Sequence, residues 1–178
     1  MVQLTEQLST LKITPVEIFD LACGTGAVEA EIYASVPKNS WTDLKILTGD
    51  VSRAMLDYLK QRGEEAGWSA LTTKIVDGSK LDESGVGNSF THIFVGLEIF
   101  VLPPDTIRQL VAKLAPGGTL VVTTWAYLPW FSLLAKTSAR MNDGPSLPTE
   151  EHLWKALTDG RPWLDAAFVK EQLEEAGL

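Results

Sequence analysis

The residues best suited to chemistry cluster in Ile18-Phe19-Asp20-Leu21-Ala22-Cys23-Gly24-Thr25-Gly26, where an apolar run ends in a carboxylate and then in a turn of small residues. Only small side chains let a backbone approach a nucleotide-like ligand closely. Three further marks follow in order. Thr48-Gly49-Asp50-Val51-Ser52 places a second carboxylate 24 positions after Gly26, and Val76-Asp77-Gly78-Ser79 a third. Leu114-Ala115-Pro116-Gly117-Gly118-Thr119-Leu120 is a glycine turn running into an apolar stretch. Taken singly, Asp50 and Asp77 read equally well as helix or turn caps, and Gly117 and Gly118 as turn residues without a ligand. A lone glycine loop is weak evidence, but order and spacing together are specific.

Residues so far apart need a scaffold that brings them to one edge. Five short runs rich in β-branched or aromatic residues read as strands: Val16–Leu21, Leu44–Thr48, Thr72–Val76, His92–Leu97 and Thr119–Trp125. Most are continuously apolar, as buried parallel strands require. Helices are expected between them. Ala27–Ser35 carries Val28 and Ile32 on one face, and Ser52 can cap a helix whose apolar side holds Met55, Leu56 and Leu59. After Pro103-Pro104-Asp105, the residues Ile107, Leu110, Val111 and Leu114 recur at helical spacing until Pro116-Gly117-Gly118 stops the helix and the next strand begins. This alternation predicts an α/β fold: a Rossmann-like, doubly wound, mostly parallel sheet with helices on both faces.

Beyond Trp125 the rhythm breaks, with Pro129, Asn142-Asp143-Gly144-Pro145, Pro148 and Pro162 interrupting aromatic stretches. We therefore expect a core over residues 1–126, a substrate cap or insertion over 127–164, and the last core helix within 165–178, its apolar side formed by Phe168, Val169 and Leu173.

The four marks resemble the motifs of class I, seven-stranded S-adenosylmethionine-dependent methyltransferases, whose glycine-rich motif is an acidic residue followed by Gly-x-Gly-x-Gly. Ala22 stands here where that motif has its first glycine. The resemblance covers about residues 16–125 well and the end of the chain more loosely. It implies S-adenosylmethionine as cofactor, with Asp20 orienting its amino group and Asp50 accepting both ribose hydroxyls. Asp77, in a step similar to the family's Asp-Gly or Asp-Ala, would receive the adenine amine. By the same resemblance Ala22, Cys23, Gly24, Thr25, Gly26, Val51, Met55, Gly78, Ser79, Gly96 and Leu97 join the cofactor-binding set. A nicotinamide Rossmann site is the nearest competitor, but its fingerprint needs a third glycine where this chain has Glu29.

Methyl transfer from a sulfonium is an in-line displacement, so alignment and exclusion of water are the protein's main tasks, and a base is needed only where the acceptor must lose a proton. Glu98, just after the fourth strand, is the candidate base or substrate anchor, against a solvated or capping glutamate. His152 in the cap region is the second candidate, against a surface histidine, and His92, at the far end of its strand, reads as structural. After the fourth strand, exocyclic-amine methyltransferases of the class often carry an Asn- or Asp-Pro-Pro-aromatic run. Here Gly96-Leu97-Glu98-Ile99-Phe100 stands instead, which argues against that branch. Trp125, Tyr127, Trp130, Phe131, Trp154 and Trp163 can wall an apolar pocket, and Trp125 and Tyr127, nearest the strand end, are the expected substrate contacts. The resemblance thus implies methyl transfer to O, N or C of a small apolar or aromatic molecule, of the kind found in secondary metabolism.

Charge narrows the partners. A net charge of −8 with scattered lysines and arginines leaves no basic stripe for a phosphate backbone, so nucleic acid is not expected. No apolar run is long enough to cross a bilayer. The single cysteine excludes an intrachain disulfide, and two histidines offer no metal cluster, so no metal is expected. MVQLTEQLSTLKITP lacks both a basic leader with an apolar block and a small-residue cleavage signature, which points to the cytoplasm.

The family's sheet runs 3-2-1-4-5-7-6 and ends in an antiparallel hairpin, of which nothing is visible here. The fifth strand would then be an apolar edge. A homo- or hetero-oligomeric partner covering it, or a longer parent protein, would resolve that exposure. Two other functions remain open: an enzyme of this fold that catalyses a cyclisation or pericyclic reaction without transfer, and a non-catalytic subunit of a methyltransferase complex. Neither the substrate nor the acceptor atom is legible.

Overall fold

In the computed structural model, which describes residues 16–141, 144 and 146–178, five strands form one sheet. The amino-terminal stretch, on which the expectation of a cytoplasmic location rests, lies outside the described residues, as do Asn142, Asp143 and Pro145. The strands are β1 Val16–Leu21, β2 Leu44–Asp50, β3 Leu71–Ile75, β4 Phe90–Gly96 and β5 Leu114–Thr123. Their order is β3-β2-β1-β4-β5, and every pairing is parallel. The chain reverses its direction of winding between β1 and β4, and a crevice opens at such a switch point along the carboxyl edge.

Alternation along β1 assigns its residues to two faces. Val16 and Ile18 pack with Ile32 and Tyr33 of helix α1 (Ala27–Ser35), while Phe19 and Leu21 join the larger core on the opposite face. Helix α2 (Arg53–Ala66) buries Leu56 and Leu59 near Cys23. Ser52 caps it, its hydroxyl accepting from the Met55 amide at 3.4 Å. Met55 departs from expectation: it is exposed, because the helix turns Leu56 and Leu59 inward instead.

On the second face, helix α3 (Thr106–Val111) buries Ile107 and Leu110. The expected helix to Leu114 is shorter than the sequence suggests. It closes at Val111, and Leu114 already pairs with Phe90 in the sheet. Pro116-Gly117-Gly118 is therefore a bulge inside β5, where the pairing jumps from Phe90↔Leu114 to His92↔Thr119. A Cβ on Gly118 would lie 2.9 Å from the carbonyl oxygens of Ala115 and Phe90, so the bulge requires glycine there.

The region after β5 contains helices α4 (Phe131–Ser138), α5 (Glu150–Leu157) and α6 (Ala166–Glu175). Leu128, Trp154 and Trp163 from this region are buried in the same apolar cluster as Phe19 and Ile93. Arg161 ties it to the connection between β4 and α3 by donating to the Leu102 carbonyl at 2.9 Å. Asp165 caps α6 through the Ala167 amide at 2.8 Å, and Phe168, Val169 and Leu173 pack on the core as the sequence implies. β5 pairs with β4 on one side only among the described residues.

Candidate functional site

The small-residue turn after β1 is held from three directions. The Cys23 amide donates to the Gly49 carbonyl at 3.1 Å, and the Gly24 amide to Asp50 Oδ2 at 2.9 Å. From α2, Arg62 Nη1 donates to the carbonyls of Thr25 and Gly26 at 2.9 and 3.0 Å. Gly26 has φ 83°, and a Cβ there would collide with Leu59 Cδ1, so two constraints demand glycine at once. Nothing lies within 4 Å of a Cβ position on Gly24, leaving that backbone open to a ligand. Ala22 holds φ 60°, a left-handed conformation that a methyl side chain resists and the resembling motif's glycine would not.

Beside this turn lies an apolar cavity of about 320 Å³, walled by Asp20, Ala22 and Cys23 of the turn, Ala27, Val28, Glu31 and Ser35 of α1, and Gly96, Leu97 and Thr123 at the strand ends. Five residues of the expected cofactor set, Asp20, Ala22, Cys23, Gly96 and Leu97, therefore meet on one surface. Leu97 is fastened there with φ 58°, its amide donating to the Thr123 carbonyl at 3.1 Å and hydroxyl at 3.0 Å.

The other acidic marks lie off this wall. Asp50 bridges the glycine turn and the start of α2, its Oδ1 accepting from the Ser52 amide at 2.8 Å. Val51 and Met55, just beyond it, are exposed. Asp77 caps the short 3₁₀ turn Gly78–Glu83, accepting from the Ser79 amide at 2.9 Å and hydroxyl at 2.6 Å, which holds its carboxyl below the usual range. Gly78 is buried against Leu102, where a Cβ would stand 2.9 Å from Leu102 Cδ2. Asp77 is thus a cap, whereas Asp50 ends β2 and braces the glycine turn against the Ser52 cap; Asp50 is half-buried and Asp77 exposed.

Asp20 is the unusual group. It is 1% exposed, and no N–H or hydroxyl of the protein donates to its oxygens. Glu29, on the first turn of α1, is 0% exposed and, its own backbone N–H and Asp20 aside, equally without a donor. Burial above all, and then the facing Glu29, push the Asp20 carboxyl well above its ordinary value, while burial also raises Glu29. The Cys23 thiol is driven up by burial and by these carboxyls, so it is a packed thiol and a poor nucleophile.

Glu98, two residues past the carboxyl end of β4, is half-buried, and burial together with the charge of Asp50 raises its carboxyl. His152 lies elsewhere, exposed on α5 with Nδ1 2.9 Å from the Thr149 hydroxyl. His92 is buried beside Thr91, and burial lowers its basicity, in keeping with a structural role. Trp125 packs against the large core, and Tyr127 lines a separate groove of about 660 Å³ with Leu128, Trp154 and Arg161. Neither aromatic borders the cavity beside the turn. Among the described residues no group of acidic, histidine or cysteine side chains could hold a metal, and no helix is long and apolar enough to cross a membrane.

Sequence reasoning missed Glu29 and Arg62. Glu29 was visible only as a residue that breaks the nicotinamide fingerprint, and Arg62 reads as one more polar position on an amphipathic helix.

A winding reversal with an acidic residue, a small-residue turn and a second carboxylate at its carboxyl edge defines the Rossmann-like fold of class I methyltransferases. The chain belongs to the ubiE/COQ5 methyltransferase family, which matches residues 3–158. It is similar to the methyltransferase tpcH of Aspergillus fumigatus, 30% identical over 166 residues that cover 92% of this chain and 57% of that protein. An acetylaranotin bis-thiomethyltransferase of Aspergillus terreus is 27% identical over 165 residues, 92% of this chain and 54% of the relative. The chain thus spans a little over half the length of these relatives. Among solved structures, the [4+2]-cyclase SpnF superposes with a TM-score of 0.66 at 22% identity, over 98% of this chain and 57% of that one. That likeness is one of fold.

Proposed function

We propose that the crevice takes S-adenosylmethionine and that the protein transfers a methyl group to O, N or C of a small apolar or aromatic molecule. The observation that carries this reading is Asp20: a buried carboxyl that no N–H or hydroxyl of the protein reaches, on the wall of an apolar cavity beside an open small-residue turn. A buried polar group left unpaired is costly, so a donor supplied by a ligand is the natural remedy. The residues fit the cofactor's parts. Asp20 would face its amino group, Gly24, Thr25 and Gly26 would lie along it, Asp50 would accept the ribose hydroxyls, and Asp77 the adenine amine. The remaining cofactor contacts would come from Ala22, Cys23, Val51, Met55, Gly78, Ser79, Gly96 and Leu97.

The chemistry supplied by the bound cofactor is an electrophilic methyl on sulfur. The chain's part is to align the acceptor and exclude water, which the apolar wall formed by Ala27, Val28 and Leu97 favours. Glu98, its carboxyl raised by burial, would take the proton from an acceptor hydroxyl at its carboxylate oxygen. His152 and Tyr127 in the cap, 127–164, and Trp125 at the end of the core, 1–126, enter only as acceptor-side contacts, with 165–178 as the final core helix. The half-buried edge of β5 supports a covering partner, to be tested by sedimentation. Cytoplasmic residence, consistent with the buried thiol, is tested by fractionation.

Calorimetric titration with S-adenosylhomocysteine tests the cofactor. Binding supports the proposal, and no binding favours a non-catalytic subunit. A cyclisation without transfer is the second reading, favoured because, among the described residues, the cavity wall carries no carboxyl besides Glu31 and the buried Asp20 to serve as a base. Incubation with S-adenosylmethionine and acceptor candidates separates the two: transfer yields S-adenosylhomocysteine stoichiometrically, whereas cyclisation yields none.

A further inference from the structure

Asp20 and Glu29 bring two carboxyl groups together behind the small-residue turn, and this arrangement is stranger than a single acidic residue. Asp20 lies on the face of β1 that packs against α1, and Glu29 is on the first turn of that helix. Both are essentially inaccessible to water, and outside the pair no side chain of the protein donates to either carboxyl, so their bonding is with each other and with the Glu29 backbone N–H. Two ionised carboxylates cannot be buried face to face, so one proton shared between them is what makes the arrangement tolerable. Only Asp20 borders the cavity, while Glu29 reaches in beneath the turn, its Oε2 3.4 Å from a Cβ position on Gly26.

On the reading that the crevice takes S-adenosylmethionine, we infer that Glu29 is a positioning residue acting through Asp20: the pair holds one proton without ligand and releases it when the ligand's ammonium group settles against Asp20. The balance is simple. One carboxylic O–H bond breaks, its proton passes to the solvent buffer, and the pair goes from one negative charge to two as a cation arrives to offset the second. No other bond changes.

The surroundings favour this exchange. Asp50 at the end of β2 adds negative charge near Asp20, and Arg62 from α2 offsets part of that of Glu29. Cys23 on the turn and Tyr33 on α1 both feel Glu29, but burial keeps each neutral. Glu31 on the cavity wall and Glu98 beyond β4 complete the ionisable groups at this end. A fixed positive charge close enough to keep both carboxyls ionised is missing among these groups, so the counter-charge must arrive with the ligand.

The test is titration of the protein with S-adenosylhomocysteine in two buffers of the same pH but different ionisation enthalpy. The expected result is release of roughly one proton per ligand bound, with affinity rising about tenfold per pH unit below the pair's upper titration. Glu29→Gln should bind without releasing a proton, because its amide donates to Asp20. 5′-Methylthioadenosine, which lacks the amino-acid head, should also release none. Infrared spectroscopy of the native protein should show a carboxylic-acid carbonyl band near neutral pH that disappears on binding, which tests the pair even if the variant fails to fold.

Binding with identical heats in both buffers would overturn the inference while leaving the cofactor assignment intact. Failure to bind S-adenosylhomocysteine at all would overturn both. The same proton released from Glu29→Gln would remove Glu29 from the account.

Discussion

The two faces of the sheet are built on opposite terms, and β1 supplies both. Phe19 and Leu21 point into a continuous apolar core with Ile93, Val95, Leu110 and Trp163, where nearly every buried contact is hydrocarbon or aromatic. One residue out of phase, Asp20 points to the α1 side, where two buried carboxyls, a buried thiol and an apolar cavity share a small volume. The first face gains stability from burial, at about 25 cal/mol per Å² of apolar surface. The second gives some of it up to hold polar groups ready for a ligand. A period of two along one strand is thus enough to separate stability from function.

The comparison can be broken most strongly at Trp163. If the post-β5 region belongs to the stable face, Trp163→Ala should cost about 3–5 kcal/mol in urea unfolding, while a loss below about 1 kcal/mol would make that region a separate appendage. On the functional face, Asp50→Ala should weaken S-adenosylhomocysteine binding at least tenfold, roughly 1.4 kcal/mol, because the variant loses a ribose acceptor and the bond that fixes the Gly24 amide. Unchanged affinity in calorimetry would count against the placement of the cofactor.

A smaller effect separates the faces by pH. The carboxyls of Asp20 and Glu29 are raised in the folded protein. Their contribution to stability is therefore complete below the unfolded-chain values and is lost as pH rises through the folded ones. Glu29→Gln should accordingly melt above the native protein near about pH 8, and the difference should shrink toward about pH 4. A pH-independent difference would show that the pair is not titrating. Smallest of all, Ala22→Gly should stabilise by about 0.5 kcal/mol, as relief of left-handed strain slightly exceeds the entropy gained by the unfolded chain. Thermal unfolding that moves the other way would mean the turn tolerates Ala22 without strain.

Much of this architecture was legible beforehand. The limits of β1 and α1 follow from an apolar run, a carboxylate and a small-residue turn, and the capping roles of Ser52 and Asp165 follow from their positions before helical patterns. The start of β5 was misplaced because Pro116-Gly117-Gly118 looks like a helix stop, whereas a bulge absorbs those residues without leaving the sheet. The exposure of Met55 escaped notice because an apolar residue at the first turn of a helix is compatible with either face. The carboxyl pair was not legible, since nothing local distinguishes a buried glutamate on α1 from the exposed Glu31 on the next turn of the same helix.

The sequence alone determined what is written in local chemistry: the alternation of strands and helices, the small-residue turn and the carboxylates that close the first strands, because each depends on neighbours a few residues away. Tertiary structure decided what depends on distance in space. It set Arg62 on the turn, Glu29 behind Asp20, and Trp154 and Trp163 in the core, since hydrogen bonding, charge and burial act between groups that the chain brings together only when the sheet is complete.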